Sequence, residues 1–336
     1  MDIVTAPPEQ TAMQLFTGYW VSQIASTAVR LKILDTLPGK PHELAARLEL
    51  HPPSLERLLR ACAAVGLVRP VEGGYDLTPV GRLLTLSNPH SLGPLGMMVT
   101  DPSHWLSWAR LPECVKTGRT SVQAALGVEG VFHYFEAHPE EGERFNQAMA
   151  AMSHMWADQL PRAFDFAPYR EIVDLGGCHG ILLAAALKAS PQARGILFDQ
   201  PHVVAHADPT LQALGVHERV EKSGGDFFRE VPSGDLYILK HILHDWDDDQ
   251  CVTILKNVRR AMRDTARVLV LEMVLAAEPS VADLMDINML VMTGGRERTV
   301  AEYHDLFRRA GLQPGRVLEP PGNYKILEAT PLDVLT

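Results

Sequence analysis

The stretch that decides the fold is Ile172-Val-Asp-Leu-Gly-Gly-Cys-His-Gly180. It reads as a buried strand, an acid, a glycine turn and then a helix. The strand Glu171–Leu175 feeds Gly176-Gly177, and the strongly apolar Ile181–Leu187 follows. Working outward, Gly195–Asp199 reads as a second strand, Leu236–Lys240 as a third and Val268–Met273 as a fourth. Helical segments such as Asp248–Met262 lie between them. Strands that alternate with helices specify a parallel, doubly wound sheet. Thr299–Gly311 then reads as a helix closed by glycine, followed by two short strand-like runs.

The same stretch carries a ligand signal. Glycines let a backbone pass close to a ligand without a Cβ in the way. Asp174 stands at the carboxyl end of the first strand, where open α/β sheets bind ligands. Asp199 ends the next strand, and a carboxylate there can accept hydrogen bonds from both hydroxyls of a ribose. The glycines are spaced G-G-x-x-G, unlike the dinucleotide pattern. An acid directly before the turn also suits a cation better than a pyrophosphate. S-adenosyl-L-methionine, with a sulfonium, an ammonium and no phosphate, meets both conditions. A tight strand-to-helix turn that holds no ligand is the plainer alternative.

Before Pro161 the texture differs. Residues 12–36 read as one helix ending near Pro38-Gly39, and Glu43–Leu50 as a short one. His51-Pro52-Pro53 reads as a break, and Ser54 as the cap of a third helix. Two strand-like pieces then flank Gly73-Gly74, so the segment reads as a winged helix. It carries no basic stripe: residues 40–86 hold six Lys or Arg against five acids. Packing or dimerisation therefore explains it better than DNA binding. Residues 103–160 look helical, interrupted at His138-Pro139. The division expected is a helical half over 1–160 and a cofactor-binding half over 161–336.

Composition excludes other classes. The 336 residues carry a net charge of −10, which disfavours nucleic acid and anionic membrane surfaces. The first residues, MDIVTAPPEQ, lack a signal peptide's pattern, and no apolar run is long enough to span a membrane. The four cysteines are widely separated, with no zinc spacing, so reduced thiols in a soluble cytoplasmic protein are expected.

With these motifs in place, the chain resembles the S-adenosylmethionine-dependent small-molecule O-methyltransferases of the plant caffeate/isoflavone type and their bacterial natural-product relatives. Leu239-Lys-His-Ile-Leu-His-Asp-Trp-Asp-Asp-Asp-Gln-Cys251 carries the resemblance most specifically. Gly225-Asp-Phe-Phe228, Phe198-Asp-Gln-Pro201 and Gly294-Gly-Arg-Glu-Arg-Thr299 add to it. The resemblance implies a Rossmann-like doubly wound methyltransferase sheet on the C-terminal side. It also implies an N-terminal all-α winged-helix domain that forms an intertwined homodimer. It implies His244 as general base, flanked by Glu272 and Glu297. For the cofactor it implies Asp174, Gly176, Gly177, Gly180, Asp199 and Gln200, with Asp226 and Phe227 at the adenine and Lys240 lining the pocket. One position departs from the family's glycine turn: Cys178 stands where a third glycine is usual.

The chemistry follows from the residue types. Transfer from a sulfonium is an in-line displacement, so positioning supplies much of the acceleration. A phenol has a pKa of about 10 and a free imidazole about 6.5, so a histidine base needs help from a carboxylate. His241 and His244, three apart and next to Asp245, also permit a metal reading. The resembled family is metal-independent, and no metal is expected. Met149, Met152 and Met155 lie along one helix face, as do Met285, Met289 and Met292. Methionine adapts to flat, varied ligands. In the resembled family these two helices wall the acceptor site, which places Met149, Met152, Trp156, Met289 and Met292 against a small aromatic acceptor. Phe132, His133, Tyr134, Phe135 and Trp105 are weaker candidates for the same wall, most of them reading as aromatic core. Asp245 contacts the acceptor hydroxyl or caps the next helix. The expected activity is O-methylation of a phenolic hydroxyl in secondary metabolism, such as antibiotic biosynthesis. The alternatives are N- or C-methylation or a non-methylating reaction on the same scaffold, and, more remotely, a ligand-sensing winged-helix regulator.

Overall fold

The computed structural model describes residues 7–322 and 324–332. The chain packs as two compact units. One takes residues 1–105 with 143–151, the other residues 106–142 with 152–336.

The first unit is built from helices and one hairpin. Helix Pro8–Arg30 and the short Ile33–Thr36 replace the single helix expected over 12–36, because Lys32 takes a left-handed conformation with φ +54° between them. Helix Pro41–Arg47 and helix Pro52–Ala64 follow. The expected break at Pro52-Pro53 is in fact a helix start: proline in the first turn needs no N–H partner there, and His51, not Ser54, is the cap. Strands β1 (Val68–Val71) and β2 (Gly74–Leu77) form the antiparallel wing. Leu34, Leu44, Leu59, Cys62 and Val68 meet in its core. Helix Pro8–Arg30 leaves Met13, Leu15, Phe16, Tyr19 and Trp20 exposed, Phe16 at 80%.

The second unit holds a seven-stranded sheet. Its strands are β3 (Glu171–Leu175), β4 (Arg194–Asp199), β5 (Val220–Gly224), β6 (Gly234–Lys240), β7 (Met262–Met273), β8 (Leu312–Leu318) and β9 (Tyr324–Pro331), in the order β5-β4-β3-β6-β7-β9-β8. The first five run parallel, and β9 pairs antiparallel with both β7 and β8. Both faces are buried, as parallel sheets require. On one face Val173, Tyr237, Leu239 and Val268 pack with helices Asp248–Ala261 and Val300–Arg309. On the other, Ile172, Ile238 and Leu269 pack with helix Ile181–Ala189. The sequence had not revealed β5: its residues Val-Glu-Lys-Ser-Gly are polar, as an edge strand tolerates.

Strand order reverses beside β3. The chain steps outward to β4 and β5, then returns to β6 on β3's other side. The carboxyl ends at such a reversal form a crevice in which α/β proteins bind ligands.

Candidate active site

The carboxyl ends of four neighbouring strands bring the expected residues together. Asp174 lies one residue before the end of β3, Asp199 ends β4, Lys240 ends β6 and Glu272 stands one residue before the end of β7. Asp226 and Phe227 follow β5 directly.

The glycine turn after β3 is held from both sides. The Gly176 N–H donates to the Phe198 carbonyl at 2.8 Å, and the Cys178 N–H to Asp199 Oδ2 at 2.9 Å. Gly176 and Gly180 have φ of +70° and +76°. At Gly177 an added Cβ would sit 2.6 Å from the Asp174 carboxyl carbon, so glycine lets that carboxylate fold under the turn. Cys178 also has a positive φ, +53°, a region costly for a residue with a Cβ. Asp174 Oδ2 accepts the Leu183 N–H at 3.2 Å. Burial pushes its pKa up to about 7, against the pull of that bond and of Lys240. Burial raises the Asp199 carboxyl too, and lowers the Lys240 ammonium, which donates to Ser153 Oγ at 3.1 Å. Gln200 follows Asp199 and donates its N–H to Asp199 Oδ1 at 2.7 Å. Asp226 is more exposed, and accepts the Phe228 N–H at 2.9 Å. An acid-rich mouth with one lysine fits a cationic ligand that also carries hydroxyls, and repels a polyphosphate.

Next to this mouth lies a buried cluster of one histidine and three carboxyls. His244 sits in a tight turn, Leu243–Asp245, directly after β6. Its Nδ1 is 2.7 Å from Glu297 Oε1 and 3.5 Å from Glu272 Oε2, and its Nε2 is 3.8 Å from Asp245 Oδ1. Glu272 and Glu297 are 0% and 1% exposed. Glu272 Oε1 accepts the N–H groups of Ile242, Leu243 and His244 at 3.1, 3.0 and 3.4 Å, so one carboxylate oxygen shapes the turn while the other faces the imidazole. Burial is the largest single influence on His244 and works against its charge. Glu272, Asp245 and Glu297 together outweigh it and raise the imidazole pKa to about 10. Burial in turn pushes the Glu272 carboxyl up, and Asp245 up to about 6.

Asp245 is not a helix cap. Asp247 caps helix Asp248–Ala261 in a full capping box with Gln250, which leaves Asp245 facing His244. Ser280 and Thr299 form the same boxes at helices Val281–Met292 and Val300–Arg309. The last of these fixes the segment that carries Glu297, whose N–H also donates to Asp286 Oδ1 at 2.8 Å.

Two contributors were not legible beforehand. Arg298 is fully buried and binds the carbonyls of Leu243 and Trp246 at 2.9 and 2.8 Å, and Asp248 at 2.8 Å, so it ties the His244 turn to Glu297's own segment. Tyr324 stacks on His241, and His241 on His244, with ring centroids 5.1 and 4.9 Å apart. The metal reading shifts accordingly. His244, Glu272 and Glu297, rather than His241, offer donor atoms within 4.8 Å of one another.

The expected acceptor walls are placed as follows. Helix Pro139–Ala157 carries Met149 in the first unit and Met152 and Trp156 in the second. Trp156 is buried in the core beneath the sheet, edge-on to Tyr324 at 4.7 Å. Met155 is 59% exposed, whereas Met289 and Met292 are buried on helix Val281–Met292. Of the aromatic candidates, Tyr134 and Phe135 are buried and Phe132 stacks on Trp246 at 5.8 Å, whereas His133 and Trp105 are exposed and so are not core.

Comparison with known proteins points to one family. Residues 108–313 match the O-methyltransferase domain, and residues 13–87 the O-methyltransferase dimerisation domain. A phenazine O-methyltransferase from Lysobacter antibioticus is 39% identical over 97% of both chains. An 8-amino-8-demethylriboflavin N,N-dimethyltransferase from Streptomyces davaonensis is 35% identical, over 91% of this chain and 92% of its own. The crystal structure of human N-acetylserotonin methyltransferase in complex with S-adenosylmethionine superposes with a TM-score of 0.89 at 28% identity, over 98% of this chain and 99% of that one. With both domains matched along its length, the chain belongs to the O-methyltransferase family.

Proposed function

We propose that this enzyme methylates an aromatic hydroxyl of a small secondary metabolite, with S-adenosylmethionine as donor and His244 as general base. The observation that carries the reading is the 2.7 Å bond from His244 Nδ1 to Glu297. A proton held there leaves the Nε2 lone pair to take the acceptor's proton. The carboxylates around the ring stabilise the imidazolium so formed. They also raise its pKa towards that of a phenol, which favours passage of the proton to the ring. S-adenosylmethionine supplies an electrophilic methyl on a sulfonium. On this reading Asp199 would take its ribose, Asp226 and Phe227 its adenine, and Gly176, Gly177, Gly180, Gln200 and Lys240 the rest of its length. On the same reading Met152, Met289, Met292 and Asp245 would contact the acceptor. Residues 1–160 serve dimerisation and the acceptor wall, and residues 161–336 the cofactor. The exposed apolar residues of helix Pro8–Arg30 suit burial in a homodimer.

The test is labelled methyl transfer from S-adenosylmethionine to a panel of phenols, with His244→Ala alongside. The variant should lose transfer and keep cofactor binding; unchanged turnover overturns the assignment. Matched aromatic amines in the same panel test N-methylation, which the similarity to the N,N-dimethyltransferase favours as a second reading. The base is metal-independent on this reading, because Nδ1 spends its proton on Glu297 rather than a lone pair on an ion. Loss of activity in excess chelator would refute that.

A further inference from the structure

His241 is the residue that the chemistry above leaves unused. It follows Lys240 at the end of β6, its N–H donates to the Leu271 carbonyl at 3.1 Å, and its φ is +55°. Asn, Asp or Gly fill that conformation more cheaply. The ring is 8% exposed, and its Nε2 is buried with no hydrogen-bond partner. It lies between two other rings, Tyr324 at 5.1 Å and 23° and His244 at 4.9 Å and 25°. Burial, then the positive charges of Lys240 and His244, hold it uncharged.

Packing does not explain this choice. A phenylalanine would complete the same stack with no polar atom to desolvate. An orphaned nitrogen in a strained backbone, one ring away from a catalytic base, is the kind of outlier that marks a functional contact. The two ring centroids are 4.9 Å apart, so a substituent next to a hydroxyl held by His244 comes within reach of His241. A neutral imidazole nitrogen either donates or accepts, according to its tautomer.

We propose that His241 determines acceptor specificity: its Nε2 hydrogen-bonds a second polar substituent adjacent to the methylated hydroxyl, so the enzyme prefers ortho- or peri-substituted phenols over isolated ones. The inference rests on the O-methylation reading and is tested separately from it. Catechol is compared with hydroquinone, and ortho-aminophenol with para-aminophenol, for both kcat/KM and equilibrium binding to protein loaded with S-adenosylhomocysteine. The wild type should favour each ortho member at least about tenfold, the scale of one well-placed hydrogen bond. His241→Phe keeps the stack and should bring the ratio within about threefold. The ratio divides out any general loss of rate. His241→Asn suits the left-handed backbone and keeps a polar atom, so it should restore part of the preference, and it covers the case in which the phenylalanine variant fails to fold. An absent ortho preference in the wild type, or an equal one in His241→Phe, overturns the proposal. So does weakened cofactor affinity with the ratio unmoved, which would assign the nitrogen to the cofactor. If no phenol is methylated, the O-methylation reading fails, while the binding ratio still decides the contact.

Discussion

Glu297→Gln removes one charge from the buried cluster around His244 and keeps the shape. The full interaction between unit charges at 2.7 Å is about 6 kcal/mol at an effective dielectric of about 20. That is a ceiling, because glutamine keeps an acceptor oxygen, and Glu272 and Asp245 remain 3.5 and 3.8 Å from the ring. The loss of one charge-assisted bond is about 1.5–3 kcal/mol, or roughly 10- to 150-fold in kcat. The pH profile carries the sharper signature. The base must be unprotonated to act, so activity rises with pH through its pKa. With one carboxylate gone, burial regains ground and that pKa falls. The rising limb of kcat should therefore move to lower pH even as the plateau drops. The assay is S-adenosylhomocysteine release at saturating acceptor across the pH range, with Glu297→Asp as the charge-retaining control. A wild-type plateau, or a limb displaced to higher pH, would refute the base assignment.

Three further outcomes are expected. Asp174 is a buried carboxyl raised to about 7, so its proton is bound more tightly in the folded chain than in the unfolded one; its contribution to stability is present at low pH and lost as pH rises through about 7. Cofactor affinity of the wild type should then strengthen over the same range, as the carboxylate becomes available to a cation, while Asp174→Asn binds more weakly and with little pH dependence in calorimetry. Arg298→Met strands the carbonyls of Leu243 and Trp246 and should cost about 3 kcal/mol or more in denaturant unfolding; a loss below about 1 kcal/mol would show that the turn holds itself. Glycine is ordinarily less stable than alanine by about 0.5–1 kcal/mol. At position 178 the left-handed backbone should reverse that order, Cys178→Gly melting above Cys178→Ala, and the usual order would show that the turn relaxes without strain.

How far the sequence foretold this arrangement depended on burial. Apolar runs such as Ile172–Leu175 and Leu236–Leu239 declare themselves, because a strand covered on both faces has no polar alternation. The edge strand β5 and the exposed first half of β7 give no such signal. Proline at Pro52 and Pro53 signals both a break and a helix start, and only the packing of Leu55 and Leu59 decides between them. At the site, Asp174 and Asp199 could be read from their place after strands. Glu272 and Glu297 could not: both are remote in sequence from His244, and only the family resemblance brought them forward. Arg298 in sequence looks like a surface charge, and His241 like a possible ligand of a metal. Their roles depend on burial and on a backbone angle, which no spacing encodes.

The clamp on the His244 turn has a dynamic consequence. Ile242, Leu243 and His244 lie just beyond the last strand residue of β6, in a stretch that would ordinarily fray. Their three amides end on a carboxylate rooted in β7 and wholly buried. They should therefore exchange with deuterium on the timescale of the central strands rather than of a loop, opening only when β7 itself separates from β6. The segment that bears His244 then stays assembled until the sheet beneath it fails. On heating, this segment should lose its order together with the sheet and not before it.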